Sequence, residues 1–170
     1  MITNKVRASY ANFFTPRKND KDEDEYGCQL IIPKSDTRTL ELLRTEAEKA
    51  SVKKFGAAGK TGPTTLRDGD TDPKTRGKSE YAGMMFMSVR SKSQPGIVDA
   101  SRQPIIDPRA LVSGDYIRAD LAAYAYDSKG NKGVSFFINN VQFLEKGEPL
   151  SGAQRAEDAF SDWNDSPEAF

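Results

Sequence analysis

The chain has 170 residues and no net charge, with 36% hydrophobic and 29% charged residues, which suits one sizeable core with appendages rather than two domains. It contains no histidine and one cysteine, Cys28, so disulfides, zinc sites of the Cys/His kind and histidine-based catalysis are excluded. No run approaches the roughly 18 apolar residues of a membrane span, and the N-terminus lacks the basic-then-apolar pattern of a secretory signal, so the protein is expected to stay in the cytoplasm with no membrane partner.

Lys5 to Tyr10 alternates Val6, Ala8 and Tyr10 with Arg7 and Ser9 and predicts a first strand that ends at Thr15-Pro16. Arg17 to Glu25 reads as a polar loop whose carboxylates lack the defined spacing of a metal site. Tyr26 to Pro33 is a second strand, with Cys28 as a small core residue, since no base stands near it in sequence. Ser35 and Asp36 then cap a helix in which Leu40, Leu43, Ala47 and Ala50 recur at spacings of three and four. Lys53 and Lys54 complement its negative pole, and Gly56 ends it.

From Gly56 to Lys78 the periodicity is lost, and the segment predicts a long, mobile, basic loop. Gly59-Lys60-Thr61 is not a phosphate-binding P-loop, because the motif requires a glycine where Lys54 stands and a preceding strand rather than a helix. Asp68, Asp70 and Asp72 resemble the start of a calcium loop, but Ser79 occupies the place of the bidentate glutamate. Tyr81 to Arg90 is apolar on both faces and predicts a central strand. Short extended pieces follow at Pro95–Asp99 and Pro104–Asp107.

The best hairpin of the chain runs from Asp115 to Leu144. In its first arm Ile117, Ala119, Leu121, Ala123 and Ala125 alternate with Tyr116, Arg118, Asp120, Tyr124 and Tyr126, so aliphatics take one face and aromatics with charge take the other. Gly130, Asn131 and Gly133 make the reversal, flanked by Lys129 and Lys132. In the second arm Val134, Phe136 and Ile138 face the core, and a β-bulge at Asn139-Asn140 restores an inward Val141. The outer face then presents Tyr116, Arg118, Tyr124, Tyr126 and Phe137, which is the chemistry of a base-stacking platform edged by cations. Packing of the tyrosines in a second buried layer is the alternative.

Five or so strands with one helix after the second predict a mainly β fold, a small Greek-key barrel with long loops over residues 1–150. Residues 151–170 carry Arg155 against Glu157, Asp158, Asp162, Asp165 and Glu168, a balance of −4 that leaves +4 on the body. This acidic tail is expected to be disordered. Its Asp162, Trp163, Asp165 and Glu168 and the terminal Phe170 fit a docking peptide for a partner protein.

Several stretches together carry a resemblance: Ser9-Tyr10-Ala11-Asn12-Phe13-Phe14, Leu30-Ile31-Ile32-Pro33-Lys34-Ser35-Asp36, Leu66-Arg67-Asp68-Gly69-Asp70, Pro95-Gly96-Ile97-Val98-Asp99, Gly130-Asn131-Lys132-Gly133-Val134 and Asn139-Asn140-Val141-Gln142. From about Tyr10 to Phe160 the chain resembles a family of phage-encoded single-stranded DNA-binding proteins. The resemblance implies an OB-type barrel that coats single-stranded DNA with little sequence preference during phage replication or recombination, in the cytoplasm of the infected bacterium. The tail is similar to the acidic, Phe-ended tails of bacterial and phage single-strand binders, which implies replication or recombination proteins as partners.

The nucleic-acid-binding residues expected from the strand faces and the basic loops are Arg7, Tyr10, Arg67, Arg90, Tyr116, Arg118, Tyr124, Tyr126, Lys129, Lys132 and Phe137. No cofactor and no metal are expected, and no catalytic residue is assigned. Duplex DNA and a second copy of the chain remain open as partners. The competing readings are a magnesium-dependent nuclease built on Asp68, Asp70 and Asp99 or Asp107, and an interaction scaffold that does not bind DNA.

Overall fold

A computed structural model describes residues 1–150 and 156–160. Seven strands share one sheet: β1 (Val6–Lys18), β2 (Asp24–Pro33), β3 (Arg67–Asp68), β4 (Met84–Ser91), β5 (Gly96–Val98), β6 (Tyr116–Ser128) and β7 (Asn131–Glu145). Helix α1 (Thr37–Phe55) lies between β2 and β3, and a single turn, α2 (Ala156–Ala159), stands near the C-terminus.

Antiparallel pairing runs β4-β2-β1-β6-β7, and a parallel bridge from Arg90 of β4 to Phe137 of β7 closes these five strands into a barrel. That order, with one parallel closure between the third and fifth barrel strands, is the Greek-key connectivity of the OB barrel. β3 pairs with β4 at Met85 and Phe86, and β5 runs parallel to β7 from Asn140 to Gln142. The barrel interior is apolar, with Val6, Phe13, Leu30, Ile32, Met87, Ile117, Leu121 and Phe136 all buried.

The helix follows its sequence signals closely. Asp36 accepts the Thr39 amide at 3.1 Å as N-cap, Leu40, Leu43 and Ala47 are buried, and Gly56 ends it at φ 78° while its N–H bonds the Val52 carbonyl. Cys28 is buried in the core, which pushes its thiol far above the ordinary range.

Two expectations fail. β1 does not stop at Pro16 but continues to Lys18, because a register break between Asn12 and Arg17 lets the proline sit where no ladder amide is required. The strand expected from Tyr81 begins only at Met84, and parts of the long segment between Gly56 and Met84 pack on the barrel. Tyr81 folds back edge-on to Phe86, ring centroids 5.3 Å apart, and with Ile31 they form a second small core outside the barrel. Tyr81 donates its hydroxyl proton to Gln29, and burial raises its pKa. Thr64 both accepts the Val134 amide and donates to the Val134 carbonyl, tying the segment to β7.

Candidate nucleic-acid interface

The β6–β7 hairpin is the longest paired unit of the fold and reaches from Tyr116 opposite Glu145 to Ser128 opposite Asn131. Its turn is two residues long, Lys129 and Gly130, both at positive φ (52° and 87°), as a type I′ reversal requires. Asn131 and Gly133, expected in the turn, belong to β7 instead. The bulge stands where the sequence places it: Asp120 opposes Asn140 but Leu121 opposes Ile138, so Asn139 is the extra residue and Val141 is buried.

Beyond the bulge the alternation sends Ala122, Tyr124 and Tyr126 outward on β6 and Ser135 and Phe137 outward on β7. Tyr124 and Phe137 stack with centroids 4.0 Å apart and planes at 16°, while Tyr126 lies 6.5 Å from Tyr124 at 52°. Phe137 remains 41% exposed while Tyr124 and Tyr126 are half-buried, so the aromatic surface meets solvent chiefly through Phe137. Gly133 makes room for it: a Cβ there would stand 2.4 Å from the Tyr126 hydroxyl. Thr64 approaches the same hydroxyl at 3.3 Å.

The parallel bridge places Arg90 directly beside Phe137. Its Nε lies 3.4 Å from the largely buried Glu25 carboxylate, which Arg17 also approaches at 3.8 Å. Past Arg90 the surface dips into a groove of about 310 Å³ that includes Gln29, Thr65, Arg67, Lys74 and Ser88 in its lining. Arg67 pairs with Asp72 at 3.4 Å, and Thr65 Oγ1 is buried without a hydrogen-bond partner among the described residues. Lys129 is exposed at the hairpin turn, and the Lys132 ammonium lies 5.2 Å from the Phe55 ring centroid. Tyr124, Tyr126, Phe137 and Arg90 therefore form one continuous surface, which the Arg67 groove extends.

Other expected residues stand apart from it. Arg7 donates to the carbonyls of Gly114 and Glu148, and Arg118 donates to the Thr3 carbonyl at 3.2 Å. Both guanidiniums thus hold the chain in place. Tyr116, at the opposite end of the hairpin from the turn, is covered by Lys5 and Arg7 at 5.4 and 5.7 Å from its ring centroid. Tyr10 is 64% exposed at positive φ, on β1, where the pairing with β2 breaks register. Asp162, Trp163, Asp165, Glu168 and Phe170 lie outside the described residues; Phe160, just before them, is 77% exposed.

The sequence reading missed Gln29, Thr65, Lys74 and Ser88 as groove residues. The available signal was that Gln29 and Ser88 are polar interruptions of otherwise apolar strands, and they lie directly opposite one another in the β2–β4 ladder. The carboxylates of the nuclease reading do not converge. Lys34 bridges Asp68 and Asp70 at 2.7 Å each and holds both below the usual carboxylate range. Asp99 caps the amides of Ser101 and Gln103, and Asp107 pairs with Arg109. Among the described residues no group of three or more acidic, Cys or His side chains could hold a metal ion.

A family model described as Enterobacter phage Enc34, ssDNA-binding protein, matches residues 1–170. The chain belongs to this family. Protein p50 of Acyrthosiphon pisum secondary endosymbiont phage 1 is 29% identical over 162 residues, covering 88% of this chain and 85% of that protein. Among solved structures, the Enc34 single-stranded DNA-binding protein in complex with ssDNA superposes with a TM-score of 0.76 at 22% identity, covering 88% of each chain. The single-stranded DNA-binding protein gp2.5 of bacteriophage T7 superposes with a TM-score of 0.60 at 15% identity, covering 93% of this chain and 91% of that one. These structural likenesses bear on the fold, and they agree with the barrel order found for this member of the Enc34 family.

Proposed function

We propose that the protein binds and protects single-stranded DNA with little sequence preference during phage DNA replication or recombination, in the cytoplasm of the infected host, and that it does so without catalysing a reaction. The observation that carries this reading is the open aromatic surface of Tyr124, Phe137 and Tyr126 beside Arg90. Every base has a π-face, so stacked rings accept any sequence, and stacking contributes about 1–3 kcal/mol per base. Arg90 and Arg67 supply charge for phosphates beside these rings, Lys129 adds charge at the hairpin turn, and Lys132 adds it beside Phe55. Membership in a phage ssDNA-binding family supports the substrate.

Residues 1–150 serve in this reading as the DNA-binding domain and residues 151–170 as an acidic tail that competes with DNA for the same cations and docks replication or recombination proteins. The test is a set of binding titrations with single-stranded, duplex and RNA probes, with magnesium present in a parallel incubation. Tight binding of mixed-sequence single strands that are recovered uncut is the expected result. Cleavage of the probe, or no affinity for single strands, overturns it.

A further inference from the structure

The aromatic surface has a second side. Tyr124, which stacks on Phe137, also lines a groove of about 580 Å³ between β6 and α1. The strand contributes Leu121 to Ala125, the N-terminus contributes Met1, and the helix contributes Ala50 with Glu46, Lys49, Lys53 and Lys54. The floor is thus small and apolar while the helix rim is cationic. Lys49 is paired with Glu46 at 2.9 Å. Lys53 and Lys54 are exposed and make no ion pair among the described residues.

These two lysines occupy the last turn of α1, where the helix presents roughly half a negative charge. Two full positive charges outweigh that pole, and the Gly56 N–H already satisfies one terminal carbonyl, that of Val52. The rim is therefore net positive and attractive to an anion. Phe55, the last residue of the helix, carries the Lys132 ammonium against its ring, so the basic edge continues from the helix to the hairpin.

We propose that single-stranded DNA leaving the Tyr124–Phe137 stack turns the corner at Tyr124 and continues in the α1–β6 groove, with its phosphates on Lys53 and Lys54. This rests on the DNA-binding reading above and extends it: the aromatic surface takes a short strand, and the helix groove takes the nucleotides that follow. Tyr124 stacks on Phe137 and also lines the groove, so a strand stacked there reaches the lysine rim across a short apolar floor.

The variant is Lys53→Gln with Lys54→Gln, in which helix-compatible residues replace exposed ones. Affinities for oligo-dT of about 5 and about 16 nucleotides, spanning the site sizes of OB folds, are measured from about 50 to about 200 mM salt. Loss of two single-strand phosphate contacts lowers the salt slope by about 1.4 log units. For the longer oligonucleotide the salt-induced drop in affinity should shrink by about sevenfold, while the shorter one binds as before. Equal effects on both lengths, or none on the longer one, overturn the proposal. Tyr124→Ala is measured alongside: if it weakens the short oligonucleotide while the lysine variant changes nothing, the DNA-binding reading stands and only the groove fails. If Tyr124→Ala leaves the short oligonucleotide unaffected, the aromatic surface itself is refuted.

Discussion

Tyr124 on β6 and Phe137 on β7 stack at 4.0 Å although they are not directly opposite: Tyr124 faces Ser135, and Phe137 faces Ala122. The contact is diagonal, two residues along the ladder, a distance that aromatic rings can span. Because neither ring sits in the barrel core, removing them tests binding with little confusion from folding. Tyr124→Ala with Phe137→Ala should lower single-strand affinity by about 1–3 kcal/mol for each base that loses its partner. The melting temperature should change little. A large loss of thermal stability with unaltered affinity per folded molecule would assign the pair to packing.

Arg90 and Arg7 make a contrasting pair of substitutions. Arg90 projects beside Phe137, and its carboxylate partner Glu25 keeps Arg17 as a second partner, so Arg90→Gln should reduce the salt slope of single-strand binding by about 0.7 and leave the fold intact. Arg7 spends its donors on the Gly114 and Glu148 carbonyls. Arg7→Gln should destabilise the protein by about 1.5–3 kcal/mol, in line with charge-assisted hydrogen bonds, and leave the salt slope unchanged. Denaturant titration and salt-dependent binding, run on both variants, distinguish the roles.

Much of the hairpin was legible because its determinants are local. Period-two alternation places Ile117, Leu121 and Phe136 inside, and the doubled asparagine marks the bulge. The turn was misplaced by one or two residues, since Lys129 takes the positive φ that composition assigns to glycine or asparagine. What was not legible depends on contacts distant in sequence. The parallel closure of β4 on β7 joins residues 47 apart, Arg90 and Phe137, and no strand pattern announces it. Arg7 and Arg118 read as outward cations on alternating strands, yet their long side chains turn to backbone carbonyls. Tyr81 leaves the expected strand to meet Phe86 and Ile31, and Thr64 is tied to Val134, 70 residues on.

Gly133 should resist substitution. A Cβ would stand 2.4 Å from the Tyr126 hydroxyl and 2.6 Å from Thr64 Oγ1, so Gly133→Ala must displace the tyrosine. Single-strand affinity should fall by an amount comparable to Tyr126→Ala, and the double variant should show little further loss, since both remove the same ring from the surface. Additive losses would place the effect of Gly133 elsewhere.

The Lys34 bridge to Asp68 and Asp70 predicts an acid dependence. Both carboxyls titrate below their ordinary range because Lys34 hydrogen-bonds each of them, so their contribution to stability is full above the unfolded-state pKa of about 3.9. It is lost as pH falls through the lower folded values. Lys34→Met should destabilise the protein at neutral pH, and the gap between variant and parent should close toward acid pH. A gap that stays constant down to the acid unfolding region would remove the bridge from the account.

The tail supplies the last test, and it rests on charge alone. Residues 151–170 carry −4 while the remainder carries +4, so the tail and a DNA backbone can compete for the cations beside Phe137. Screening sets the size of the effect, because the Debye length falls from about 30 Å at 0.01 M salt to about 10 Å at 0.1 M. Deleting Gly152 to Phe170 should therefore raise affinity for single strands most at low salt, and should admit duplex DNA under the same conditions. Removing Phe170 alone keeps every acidic side chain, so DNA affinity should remain near that of the full chain while capture of a partner with a pocket for the terminal ring is lost. Autoinhibition and docking are thereby separated. Equal DNA affinities for full and shortened chains at low salt, with the same proteins captured by both, would show that the tail serves neither purpose.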